Sequence, residues 1–139
     1  SQNLSLTPNH KLSFGGSSYT LQVGKYAVQI DWIVRNDGYR ELYYKALKEA
    51  IGLPNGLRVV TPEWLVILKF IAGRFKDQQD AVYLLKQKGM VNRRLVRKKI
   101  IETVGGSFWS LVAVGLKRWY DLADGKITTE KEDYEADRL

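Results

Sequence analysis

Residues 61–85 read Thr-Pro-Glu-Trp-Leu-Val-Ile-Leu-Lys-Phe-Ile-Ala-Gly-Arg-Phe-Lys-Asp-Gln-Gln-Asp-Ala-Val-Tyr-Leu-Leu. The stretch opens with a helix-start signal. Thr61 can cap, Pro62 suits a first helical position that needs no N–H, and Glu63 complements the helix dipole. The residues that follow are almost wholly apolar, which predicts a core helix, yet Lys69 stands in the middle of them. Gly73 breaks the run. Beyond it come Arg74, Lys76, Asp77 and Asp80, and the two aspartates, three apart, share a face if helix resumes.

A lysine in a buried helix is costly unless it is paired. Lys69 therefore needs an anion, and two kinds fit. Lys69 and Arg74 can face Asp77 and Asp80 in an internal ion-pair network that stitches two helices together, or Lys69 can point at a phosphate. The spacing leaves both readings open.

Upstream, Lys11 to Phe14 can start a strand and Gly15-Gly16-Ser17-Ser18 is a break, with residues 1–10 polar and frayed or extended. Tyr19–Val23 and Tyr26–Val34 read as strands joined by Gly24-Lys25, the length of a two-residue hairpin loop. Period-two alternation puts Tyr26, Val28, Ile30 and Trp32 on one face and Ala27, Gln29, Asp31 and Ile33 on the other. Asp31 is then an acid in an apolar strand, either a satisfied structural aspartate or a metal-binding or acid–base carboxylate. Asp37-Gly38 predicts a helix over Tyr39 to Ile51 with a stripe of Tyr39, Tyr43, Ala46, Leu47, Ala50 and Ile51, ended by Gly52 and Pro54. Arg58-Val59-Val60 is a short strand.

Downstream, helices are predicted over Lys76–Lys88, Arg93–Val104 and Ser107–Ala123, separated by Gly89 and by Gly105-Gly106. From Lys86 to Lys99 there are seven basic residues and no acidic one. The region is a solvated cationic face, or it contacts the phosphate backbone of RNA or DNA, with Arg93, Arg94, Arg97 and Lys98 as the candidates. An acidic partner protein or the chain's own tail, with Glu130, Glu132, Asp133, Glu135 and Asp137, fits the same charges.

The bulk numbers set limits. At 139 residues the chain suits one domain, read as an end-of-sheet part (1–60), a helical part (61–124) and an acidic tail (125–139). The absence of cysteine excludes disulfides and thiolate sites, and His10, the single histidine, excludes a histidine-rich zinc site and Ser-His or Cys-His nucleophilic catalysis in cis. The formal net charge of +7 and pI of about 9.6 favour anionic partners. No apolar run reaches membrane-spanning length and no signal peptide is evident, which fits a cytoplasmic protein with no membrane partner. The opening at Ser1-Gln2, without an initiator methionine, reads as a processed product or a fragment of something longer.

The segment TPEWLVILKFIAGRFKDQQD (61–80) resembles the Pro-Glu-(Asp)-Leu…Lys…Ala-x-Arg-x-Lys-Asp-x-x-Asp segment of the nucleotidyltransferase-like proteins of abortive-infection and toxin–antitoxin systems, within the polymerase-β-type nucleotidyltransferase superfamily. The likeness is dense over about twenty-five residues and looser back to about residue 12. YAVQIDWIVRNDGYRELYYKAL (26–47) resembles the segment that carries the family's third carboxylate, which implies that role for Asp31. The resemblance also implies that Lys69 approaches nucleotide phosphates, that Arg74 contacts phosphate, and that Asp77 and Asp80 support them. It further implies Mg²⁺, held partly by Asp31, and an NTP as substrate.

The family's Gly-Ser turn and Asp-x-Asp strand are not matched. Phe14-Gly15-Gly16-Ser17 imitates the turn, but a hairpin and not a helix is expected after it, and Asp31-Trp32-Ile33 has no second acid. One carboxylate cannot build a two-metal site, so this chain alone is expected to be inactive.

The expected architecture is α+β, a small mostly antiparallel sheet over about 11–34 followed by four or five helices. The expected function is part of an enzyme that transfers a nucleoside monophosphate from an NTP to an RNA or protein hydroxyl in a defence or toxin–antitoxin system. Two alternatives are a nucleic-acid-binding module using the 86–99 region, and a partner of a cognate toxin or antitoxin docking through the last helix, with Trp109 and Trp119 partly exposed.

Overall fold

The computed structural model describes residues 4–12 and 15–128. It is an α+β arrangement in which a three-stranded antiparallel sheet precedes five helices. The chain divides into two compact units, Ser1–Arg40 and Glu41–Leu139.

The first unit is the sheet, with strands β1 (Leu4–Lys11), β2 (Gly16–Val23) and β3 (Tyr26–Ile33) in the order β1-β2-β3. The β2–β3 hairpin turns on Gly24-Lys25, with Gly24 at φ +57°, and pairs Val23 with Tyr26 and Ser18 with Asp31. The sheet begins at Leu4, earlier than the sequence suggests. Leu4 and Leu6 alternate with Ser5 and Thr7 in step with Val23, Leu21, Gln22 and Thr20 of β2, so the polar-looking segment completes a ladder. Pro8 is tolerated because β1 is an edge strand, and the register shifts between Pro8 and His10.

The alternation holds across all three strands. Leu4, Val23 and Tyr26 lie in one row, then Leu6, Leu21 and Val28, then Pro8, Tyr19 and Ile30, all on one face. The other face carries Thr7, Thr20 and Gln29, and Ser18 beside Asp31. Gly16 opens β2 at φ +95°, where a Cβ would lie 1.9 Å from the Trp32 carbonyl oxygen, so only glycine fits. Gly16, Ser17 and Ser18, expected as a break, are thus already part of β2. Phe14 of the imitated Gly-Ser turn lies outside the described residues, as does most of the acidic tail.

The second unit holds α1 from Glu41 onward (α1 spans Arg40–Lys48), a short β4–β5 hairpin (Ile51–Gly52 with Arg58–Val59), α2 (Pro62–Ala72), α3 (Phe75–Lys86), α4 (Arg93–Val104) and α5 (Gly106–Ala123). Thr61 caps α2 by accepting the Trp64 N–H, and Asn92 caps α4 by accepting from Arg94 and Leu95. The core is built from all five helices: Leu42 and Ala46, then Trp64, Val66 and Ile67, then Ala81 and Leu85, Val96 and Ile100, and Leu116 and Trp119.

Two local expectations for α1 change, and the last helix keeps Trp119 in the core, its simplest reading, against the docking alternative. Helix α1 stops at Lys48, and Ile51 leaves it to pair with Val59. Its buried face is Leu42 with Ala46, four apart, and Leu47 is exposed, because Tyr39, Tyr43 and Leu47 formed a competing stripe that tolerates water. Trp119 is core, stacked edge-on against Phe70 with ring centroids 5.1 Å apart, so it offers nothing to a partner, and Trp109 is half-buried.

Candidate functional site

Four charged positions of the 61–85 segment meet where α2 turns into α3. Helix α2 ends at Gly73, which adopts φ +69° and donates its N–H to the Lys69 carbonyl. That left-handed residue reverses the chain within one turn and brings the first turns of α3 back beside the last turn of α2. Asp77, at the third position of α3, accepts the Arg74 backbone N–H at 3.2 Å, satisfying one of the donors a helix start leaves open.

Asp77 is 1% exposed and takes three further donors. Arg74 Nε and Nη2 reach its two oxygens at 2.7 and 3.2 Å, the fork geometry that suits a carboxylate, and Lys69 Nζ approaches Oδ1 at 3.3 Å. Lys69 Nζ also donates to Asp80 Oδ2 at 2.8 Å. The anion required by a lysine in an apolar helix is thus supplied from within the unit.

The electrostatics follow from this geometry. Burial works to raise the Asp77 carboxyl, but the Arg74 side chain and backbone, with Lys69 behind them, outweigh it and hold the group below the usual carboxylate range. Burial likewise works to lower Lys69, and Asp80 and then Asp77 outweigh it, leaving the ammonium harder to deprotonate than usual. Lys69 is fully charged at neutral pH.

Asp31 sits in the other unit. It is half-buried on the polar face of β3, opposite Ser18, and accepts a hydrogen bond from Gln29 Nε2 at 3.0 Å. Gln29 Nε2 also lies 3.3 Å from the hydroxyl of Ser18, which is itself buried. The acid is therefore embedded in a polar row and not in an apolar pocket. Among the described residues no group of three or more His, Cys, Asp or Glu side chains could hold a metal ion. A two-metal site does not fit the side chains of the described residues.

The basic region sorts into two classes. Arg93 makes a bidentate pair with Asp124, at 2.8 and 2.6 Å, and lies 4.6 Å from the Tyr120 ring centroid. That carboxylate is the main reason its pKa is raised further. Lys99 pairs with Glu49 at 3.1 Å and lies 5.8 Å from the Trp64 ring, whose Nε1 also donates to Glu49. These two cations tie α4 to its neighbours. Arg94, Arg97 and Lys98 stay exposed, with Arg97 5.9 Å from the Trp109 ring and Lys98 3.8 Å from Glu102.

Sequence reading could not find the partners Glu49 and Asp124, which lie 50 and 31 residues from their cations, because no local spacing connects them. The Lys98–Glu102 pair was within reach as an i,i+4 neighbour.

Comparison with known proteins finds no matching family model, no matching curated protein and no matching solved structure. No helix among the described residues is long and apolar enough to cross a membrane.

Proposed function

We propose that this chain is part of a nucleotidyltransferase-like protein of the defence or toxin–antitoxin type, one that transfers a nucleoside monophosphate from an NTP to an RNA or protein hydroxyl. The chain alone is inactive in this reading. One observation carries it: Lys69, Arg74, Asp77 and Asp80, four of the six charged positions of the resembling segment, converge on one spot, with Lys69 Nζ held between Asp80 and Asp77.

The clasp orients Lys69 without using it up. An ammonium has three donors, and the described residues take two of them. The side chain remains 25% exposed, so the third is left for a phosphate oxygen. Arg74, which the resemblance also puts at the phosphates, is 63% exposed while its guanidinium grips Asp77. Asp77 and Asp80 position the two cations. Asp31, the carboxylate the resemblance singles out on the sheet, belongs to the same reading.

The test uses the longest natural form of the protein with each α-labelled NTP in turn. Asp31→Ala and Lys69→Ala are each expected to cut label transfer by about 100-fold or more, the scale of losing one charge-stabilising group in an active site. Undiminished transfer by both variants, with their circular dichroism unchanged, would overturn the assignment.

A further inference from the structure

Helix α4 carries a cationic surface that the proposed chemistry does not use. Arg94, Arg97 and Lys98, at i, i+3 and i+4, are exposed on one side of the helix, and with Ile101 and Glu102 they line a shallow groove of about 320 Å³. The structure separates them from their basic neighbours. Arg93 and Lys99 are committed to Asp124 and Glu49, whereas Arg94 and Arg97 have no carboxylate partner among the described residues. Glu102 is the one acid in the groove, and its 3.8 Å approach to Lys98 joins two exposed side chains, an arrangement of little energetic weight.

We propose that this face grips the phosphodiester backbone of a nucleic-acid strand through Arg94, Arg97 and Lys98. From Arg94 to Lys98 the helix rises about 6 Å, close to the ~7 Å axial rise between a phosphate and the next but one along a strand. Arginine offers phosphate oxygens a planar fork, and two of the three cations are arginines. The half-buried Trp109 beneath Arg97 and Ile101 in the groove give the strand an apolar edge to lie against. The three cations are spaced for successive backbone phosphates, so the contact positions a strand without reading it. The inference does not depend on nucleotidyl transfer.

The experiment is fluorescence anisotropy of the full chain with labelled 20-mers of single-stranded RNA, single-stranded DNA and duplex DNA. Three phosphate contacts give a log–log salt slope of about −2.1 for single strands and about −2.7 for duplex. Between 50 and 200 mM salt the affinity then falls about 20-fold and about 40-fold respectively. Arg94→Glu/Arg97→Glu/Lys98→Glu is expected to abolish binding. Lys11→Glu/Lys25→Glu/Lys126→Glu changes net charge equally at exposed lysines elsewhere and is expected to keep affinity within about threefold in 150 mM salt. Arg94→Gln/Lys98→Gln, which leaves the Arg97–Trp109 contact in place, is expected to flatten the single-strand slope by about 1.4.

No binding at 50 mM salt overturns the proposal. So does a control triple that weakens binding as much as the α4 triple. Tighter binding of polyglutamate than of any nucleic acid, through the same three residues, assigns the face to an acidic protein and overturns it as well.

Discussion

Lys69 and Asp77 meet across the Gly73 turn, Nζ to Oδ1 at 3.3 Å, and the aspartate is almost completely buried. The pair joins the end of one core helix to the start of the next. Its members are unequal, since Asp77 is also the acceptor for the Arg74 backbone and guanidinium. Removing Asp77 leaves Lys69 with Asp80 alone among the described residues, takes the paired carboxylate from Arg74 and opens a helix-start N–H. Asp77→Ala is expected to destabilise the helical unit by about 1–3 kcal/mol, the cost of leaving hydrogen-bond donors at a buried spot without their acceptor. Asp80→Ala, at a half-exposed carboxylate, is expected to cost about 1 kcal/mol or less. Urea denaturation of the two variants checks the ordering.

Much of this was legible in the sequence, for definite physical reasons. The Thr61-Pro62-Glu63 start, the apolar run and Gly73 specify α2 by local chemistry, and the buried lysine demanded an anion within reach. The β2–β3 hairpin followed from strict alternation around Gly24-Lys25. What stayed hidden depends on long-range placement. Leu4–Lys11 looks polar and becomes a strand only by pairing with β2, and Ile51 leaves α1 only because Val59 is there to receive it. Arg93 and Lys99 were indistinguishable from Arg94 and Arg97 in the sequence, because the carboxylates that claim them come from distant parts of the chain.

Stability should fall in acid. The folded state holds Asp77 below its ordinary value, so in the carboxylate range the unfolded chain binds the proton more readily. The contribution is present in full above the unfolded value, near 3.9, and is lost as pH falls through the depressed folded value. Glu49, lowered by Lys99 and Trp64 against the effect of burial, acts in the same direction. Lys69 has the opposite sign: its raised value contributes fully below about pH 10.4 and is lost only as pH rises beyond that. Urea midpoints are expected to be flat between about pH 5 and 10 and to decline on both sides. In Asp77→Asn the acid decline should be shallower.

Tyr120 has a buried phenolic oxygen with no hydrogen-bond partner among the described residues, and burial pushes its pKa up to about 12. Arg93 over the ring works against that rise without cancelling it. Removing an unpaired buried hydroxyl relieves a desolvation cost, so Tyr120→Phe is expected to stabilise the protein by about 1 kcal/mol at neutral pH. Ultraviolet titration of the folded protein should lose one late-titrating tyrosine of the eight in the chain in that variant.

The central claim is that the 61–85 cluster serves a nucleotide as well as the fold, and Lys69→Gln separates the two. Glutamine keeps a donor on a stem one atom shorter but removes the charge. The decisive measurement is label transfer from an α-labelled NTP by the longest natural form carrying Lys69→Gln, made at a temperature where its own melting curve shows it folded. The account predicts transfer reduced by about 100-fold in a folded protein. Transfer equal to that of the unsubstituted protein would contradict it and leave Lys69 as a structural tie between α2 and α3.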